Sequence, residues 1–259
     1  YTPANAVLIV AGDVTLDEVK KLAEEHYGKL TNTFDVATRT RTEEPEPLAP
    51  RRVTLTDARA ASPVIQRTYL TVSYATAQKG EAEALDVLAE LLGGGATSRL
   101  YRKLVVEKRL ASSAGAWYSG DGLDSGSFGI YASPNPGGKV EPAEAEIDAV
   151  LEEIKAKGIT ADELARTKAT LIAETVYARD NQGNLARNFG SSLVTGTTVK
   201  DVLEWPDRVE AVKLEDVKAA AAKTLDIRRS VTGILLPAPG VPAGGGEPVV
   251  PTPSNSPQQ

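Results

Sequence analysis

An α+β fold is what this sequence predicts, and three observations carry it. Two strand candidates, residues 111–119 and 126–134, flank the hexapeptide GDGLDS, whose Gly and Asp residues suit the loop of an antiparallel hairpin. From Pro142 the pattern turns helical and stays so to about Leu225. A β-branched run, residues 228–238, then closes the block. Strands and helices are both present, as an α+β fold requires.

In chain order, NAVLIVAGDV (5–14) is a short apolar, β-branched run ending at Gly-Asp, and it predicts a buried strand. Thr15 with Glu18 forms a capping box opening an amphipathic helix, with Leu16, Val19, Leu22 and Ala23 on one face and Gly28 after its end. A polar, proline-bearing stretch up to Pro50 has no periodicity and reads as a linker. A new block opens at RRVTLTD. The next run, residues 64–76, sets Ile65, Arg67, Tyr69, Thr71 and Ser73 on one side, so its strand assignment rests on β-propensity and length.

GEAEALDVLAELLGG predicts a helix with Leu85, Leu88, Leu91 and Leu92 in a stripe, and SRLYRKLVVEK a second, short one. The helices after Pro142 carry their own boundaries. Proline near the first turn and Gly158 at the end bracket one, Thr160 and Glu163 cap another, and Pro206 interrupts a third. The Pro/Gly/Ser-rich tail has too little apolar surface to bury and is expected to be disordered. The segment around residues 1–14 also echoes that around 225–240, which suggests two copies of one domain type.

Composition narrows the function. A net charge of -6 argues against a sequence-independent nucleic-acid binder, which needs surplus Lys and Arg. No apolar run reaches the roughly 18 to 20 residues of a membrane span. With no cysteine, disulfides, thiolate zinc sites and cysteine nucleophiles are all excluded. The single histidine, His26, cannot supply the two or three imidazoles of a catalytic zinc, and it reads as a favourable cation in a last helical turn. There is no Gly-x-Ser-x-Gly elbow. Glu81, Glu83, Glu152, Glu153 and Glu163 read as solvated helix residues.

The triplet Gly93, Gly94, Gly95 invites a phosphate-loop reading. It follows a helix rather than a strand and lacks Gly-Lys-Ser/Thr, so a helix C-cap and tight turn is expected, with the glycines at positive φ and Ser98 capping the next helix.

The stretches NAVLIVAGDV, LGGGATSRLY (92–101) and LEWPDRVEAVKLEDVKAAAAKTL (203–225) resemble the insulinase/pitrilysin family of zinc metallopeptidases, specifically the C-terminal half of a bacterial, processing-peptidase-like subunit, over about residues 1–237. The resemblance implies a mostly antiparallel sheet with helices packed on one face. It divides the chain into the terminal strand and helix of a preceding homologous domain (1–30), a linker (31–50), a non-zinc domain (51–237) and the tail (238–259). The opening Tyr1-Thr2-Pro3, without methionine or leader, fits a fragment or processed product.

The family's His-x-x-Glu-His motif is absent, so no cofactor is expected in this fragment and zinc is expected in an N-terminal half or a partner subunit. Active members carry an arginine and a tyrosine after the glycine turn. Val106 and Ser112 stand at those positions here. No catalytic residue is therefore expected. Gly93, Gly94, Gly95, Ser98 and Arg99 are candidates for chamber wall or substrate contact, with Arg99 equally suited to bracing the fold.

The implied function is a non-catalytic domain of a zinc-dependent metalloendopeptidase, contributing chamber wall and subunit interface. Its implied partners are a peptide or unfolded polypeptide and a homologous peptidase subunit, in a homo- or heterodimer, without nucleic acid or membrane span. The resemblance suggests a periplasmic or envelope location. The alternatives are an inactive scaffold or peptide-binding subunit of the same family, and an autonomous hydrolase using its carboxylates.

Overall fold

The computed structural model describes residues 2–33 and 45–239. Within these, strands β1 (Arg51–Asp57), β2 (Val64–Val72), β3 (Ala111–Ser119), β4 (Ser125–Pro134) and β5 (Ser230–Pro237) form one sheet in the order β1-β5-β2-β4-β3. The β2/β4, β2/β5 and β3/β4 pairs are antiparallel, and β1 pairs parallel with β5. The α+β architecture is as the sequence predicts, with the hairpin of β3 and β4 intact.

Alternation along β2 decides which side faces the helices. Ile65, Arg67, Tyr69 and Thr71 are buried there, joined by Phe128, Ile130 and Ala132 of β4 and by Thr232 and Ile234 of β5. Helices α2 (Glu81–Gly93), α3 (Val140–Lys157) and α8 (Leu214–Thr224) cover this side with Leu85, Leu88, Leu92, Ile147, Ile154 and Ala221. Each fully buried Leu, Ile or Phe contributes roughly 1.5–3 kcal/mol. α4 (Ala161–Ala178) and α7 (Trp205–Ala211) pack on α2, while α5 (Gln182–Val194) packs with α6 (Val199–Leu203).

The boundaries follow the local chemistry. Thr160 Oγ1 accepts from the Glu163 amide at 3.2 Å while the Glu163 carboxylate accepts from the Thr160 amide at 2.8 Å, which is the reciprocal cap of α4. Gly158 takes φ 75° to stop α3. α6 and α7 part at Glu204, with Pro206 in the first turn of α7 where its missing N–H costs nothing.

Four expectations need correction. Residues 5–14 form no strand among the described residues, Asn5 closing a short 3-10 turn (Pro3–Asn5), because an apolar run becomes a strand only with a neighbour to satisfy its backbone groups. Val7, Leu8, Val10 and Val14 remain about half exposed, and α1 (Leu16–His26) buries no residue. β2 stops at Val72 rather than at residue 76, because Thr76 Oγ1 accepts from the Ser73 amide at 2.9 Å and turns the chain. The segment 99–108 is helical but its hydrogen bonds widen to π-type over Tyr101–Glu107, as in Lys108 N–H to Lys103 O at 3.0 Å. Glu83 is not solvated: it is 4% exposed and pairs with Arg208 of α7. The expected linker falls partly, and the expected disordered tail almost wholly, outside the described residues.

Candidate functional site

The glycine triplet works differently from the expectation. Gly93 is the last residue of α2, and a Cβ there would lie 1.7 Å from the Ala116 amide nitrogen of β3. Gly94 lies against the Glu90 carboxylate, 1.9 Å from a virtual Cβ. Only Gly95, at φ 122°, uses the positive-φ freedom that was expected of all three. Gly93 is small because α2 ends pressed on the sheet, and Gly94 because the Glu90 side chain folds over it. Ser98 does not cap through its side chain: its Oγ is buried without a hydrogen-bond partner, and its carbonyl instead accepts from the Arg102 amide.

Arg99 forks onto Glu163 through Nε and Nη2, both at 2.8 Å, and reaches the Gly158 carbonyl at 3.3 Å. The guanidinium thereby ties the glycine turn to the start of α4. Its hydrogen bonds, first, and those of Thr160 hold the Glu163 carboxyl at about 2. Being depressed from 4.5, that pKa contributes stability that is complete above the unfolded value and lost as pH falls through the folded one. Acid unfolding between about pH 4.5 and 2 is therefore expected to lose part of its steepness in Arg99→Ala, read from urea midpoints across that range.

Val106 is 56% exposed on the π-helical turn, and Ser112 is exposed on β3 with Oγ donating to the Ser133 carbonyl at 3.2 Å. Neither offers a guanidinium or a phenol. His26 is exposed at the end of α1, and among the described residues no three His, Cys, Asp or Glu side chains converge as metal ligands would. The described residues do not fit a catalytic zinc.

On the sheet side opposite these helices, Trp117 is half-buried and Tyr131 exposed among the described residues. Gly129 faces the indole of Trp117, 2.1 Å from a virtual Cβ, and Gly115 likewise faces the Tyr131 ring at 2.7 Å, so two aromatic rings lie on cross-strand glycines. Beside them a groove of about 740 Å³ runs over Leu70, Val72, Ser127 and Val231, bordered by Arg51 and Arg229.

Sequence reading missed a polar trio at the α2/α7 contact. Tyr74 donates its hydroxyl to Asp86 Oδ2, and Trp205 Nε1 donates both to Tyr74 Oη at 2.6 Å and to Asp86 Oδ2 at 3.1 Å. Burial lifts the Asp86 carboxyl to about 7 against the pull of these two donors. Carbonyl-carbon NMR of Asp86 is expected to titrate near neutrality, and a midpoint at the ordinary aspartate value would refute that desolvation. The only sequence signal was an aspartate inside the leucine stripe of α2.

The family described as the peptidase M16 inactive domain matches residues 1–171. The chain belongs to that family. It is 28% identical over 239 residues to the zinc protease PqqE of Helicobacter pylori, covering 92% of this chain and 52% of that protein. The chain thus spans about half the length of the curated relatives it matches. The crystal structure of a protease from Helicobacter pylori superposes with a TM-score of 0.79 at 28% identity, over 88% of this chain and 54% of that one. The periplasmic protease PqqL of Escherichia coli shares the fold, with a TM-score of 0.63 at 18% identity over 88% of this chain and 25% of that one. The resemblance read from the sequence, to the non-zinc half of an insulinase-family protease, is borne out, and the chain is a non-catalytic M16 domain.

Proposed function

We propose that this M16 domain walls the peptide chamber of a zinc-dependent metalloendopeptidase and forms part of its subunit interface, with the metal held by polypeptide outside these residues. The observation that carries the reading is the one-sided packing of the sheet. Helices seal one face, while among the described residues the other keeps Trp117, Tyr131 and the adjoining groove at least partly exposed, a surface suited to an extended polypeptide. Gly93, Gly94, Gly95, Ser98 and Arg99 would serve this wall by fixing α2 and α4 against the sheet, with Arg99 the candidate for substrate contact. The division into a terminal strand and helix of a preceding domain (1–30), a linker (31–50), the domain (51–237) and a tail (238–259) belongs to the same reading. It gives the exposed face of α1 a partner sheet. Zinc would come from an N-terminal half or a homologous subunit, and a periplasmic or envelope location follows by likeness to PqqL.

The test pairs the purified chain with a zinc-bearing homologous half or subunit. Chelator-sensitive peptide cleavage is expected from the pair and none from the chain alone. Cleavage by the chain alone in the presence of chelator would sink the reading. Val106 and Ser112, in place of the Arg/Tyr pair, favour a second reading as an inactive scaffold or peptide-binding subunit. That reading predicts peptide binding without turnover in the pair as well. If Arg99→Ala folds and leaves turnover by the pair unchanged, Arg99 is a brace and not a substrate contact.

A further inference from the structure

We infer that the cavity between α2, α5 and α7 is a binding site for an alkylammonium group, held by Asp86 Oδ1 with Asp121 on the rim. The cavity measures about 250 Å³ and is lined by Tyr74, Asp86, Asp121, Asp201, Trp205 and Arg208, among others. Its floor is built rather than incidental. The hydroxyl of Tyr74 and the indole N–H of Trp205 both converge on Asp86 Oδ2, so that the carboxylate is held in one orientation by two donors on one oxygen. No hydrogen bond from the described residues reaches Oδ1, and no described cation pairs with Asp86.

The charges around it decide the class of ligand. Arg208 is already engaged: its Nε donates to Glu83 Oε1 and its Nη1 donates to the Asp201 carbonyl at 2.8 Å. The Asp201 carboxylate accepts from the amide and hydroxyl of Thr198, capping α6. Asp121, which is exposed, has no hydrogen bond or ion pair among the described residues. Among the described residues the lining carries one cation, Arg208, against the carboxylates of Asp86, Asp121 and Asp201, which disfavours an anion and favours a cation. Among the described residues no three His, Cys, Asp or Glu side chains converge as metal ligands would, and the inference is therefore of an organic cation.

Two aromatic side chains in the lining, Tyr74 and Trp205, add apolar surface. A compact ammonium on a four-carbon stem, as in a lysine side chain, matches this combination of apolar wall and half-buried acceptor. The inference goes beyond the chamber reading and does not depend on it, since the cavity lies on the helical side of the sheet.

The test uses the whole 259-residue chain, which has two tryptophans, so the indole N–H of Trp205 is an assignable NMR probe at the cavity floor. Titration with n-butylammonium and with Nα-acetyl-lysine amide is expected to move that resonance saturably, whereas Nα-acetyl-norleucine amide leaves it in place. Binding should weaken at least tenfold in Asp86→Asn and several-fold in Asp121→Asn. Among the described residues Asp121 makes no hydrogen bond or ion pair to lose, so its variant keeps the test valid if Asp86→Asn fails to fold. A response to n-butylammonium alone upholds the site and assigns it to small free amines, while a response to both extends it to polypeptide side chains. No movement with either amine, or equal movement with the norleucine amide, overturns the inference.

Discussion

Gly93→Ala is expected to destabilise the fold by about 3 kcal/mol, among the largest effects of any single methyl added to this chain. The added carbon would sit 1.7 Å from the Ala116 amide nitrogen, and that neighbour is backbone within β3, so α2 and the sheet edge must separate to admit it. Gly94→Ala is the internal control. Its Cβ meets only the Glu90 carboxylate, the far end of a side chain that can swing away, and a cost of about 1 kcal/mol is expected. Denaturant midpoints of the two variants measure the difference. Equal midpoints would mean that the α2/β3 contact is looser than the structure has it.

Arg67→Ala is expected to cost about 3–5 kcal/mol, the range for breaking one side of a buried ion pair. Arg67 is 3% exposed beneath α3, bonded to Asp148, to Glu144 at 3.0 Å and to Thr232 Oγ1 at 3.1 Å. Glu144 also receives both terminal nitrogens of Arg52, at 2.7 and 2.9 Å, and so links β1, β2 and α3 through one carboxylate. Removing Arg67 leaves the Thr232 hydroxyl and two carboxylates around an empty stem. Arg67→Met fills that space and is expected to recover part of the loss, as thermal unfolding of the three proteins would report. A stability for Arg67→Ala within 1 kcal/mol of the parent would contradict the buried network.

These two residues also mark how far the sequence could be read. Arg67 was placed on the same side of its strand as Ile65, Tyr69 and Thr71, and that side proved to be the buried one. An arginine among apolar neighbours gives no hint that α3, some 75 residues onward, brings Asp148 and Glu144 to meet it. The capping boxes, the hairpin and the break before Pro206 were legible because each is decided within a few residues. The parallel pairing of β1 with β5, the π-type turn at Tyr101–Glu107 and the close approach of Gly93 depend on distant partners, and no local pattern encodes them. The same holds for the cavity. Tyr74, Asp86 and Trp205 come from a turn and two helices separated by up to 131 positions.

The sheet order carries a consequence for biogenesis. β5 lies between β1 and β2, yet of the five described strands it is the last to leave the ribosome. Until it emerges, β1 has no ladder to join, and β2 has only one of its two neighbours. The nascent chain must hold β1 unpaired through the synthesis of every intervening helix. Slow closure by non-local contacts, and a need for protection of that waiting edge during translation, follow from where one strand sits.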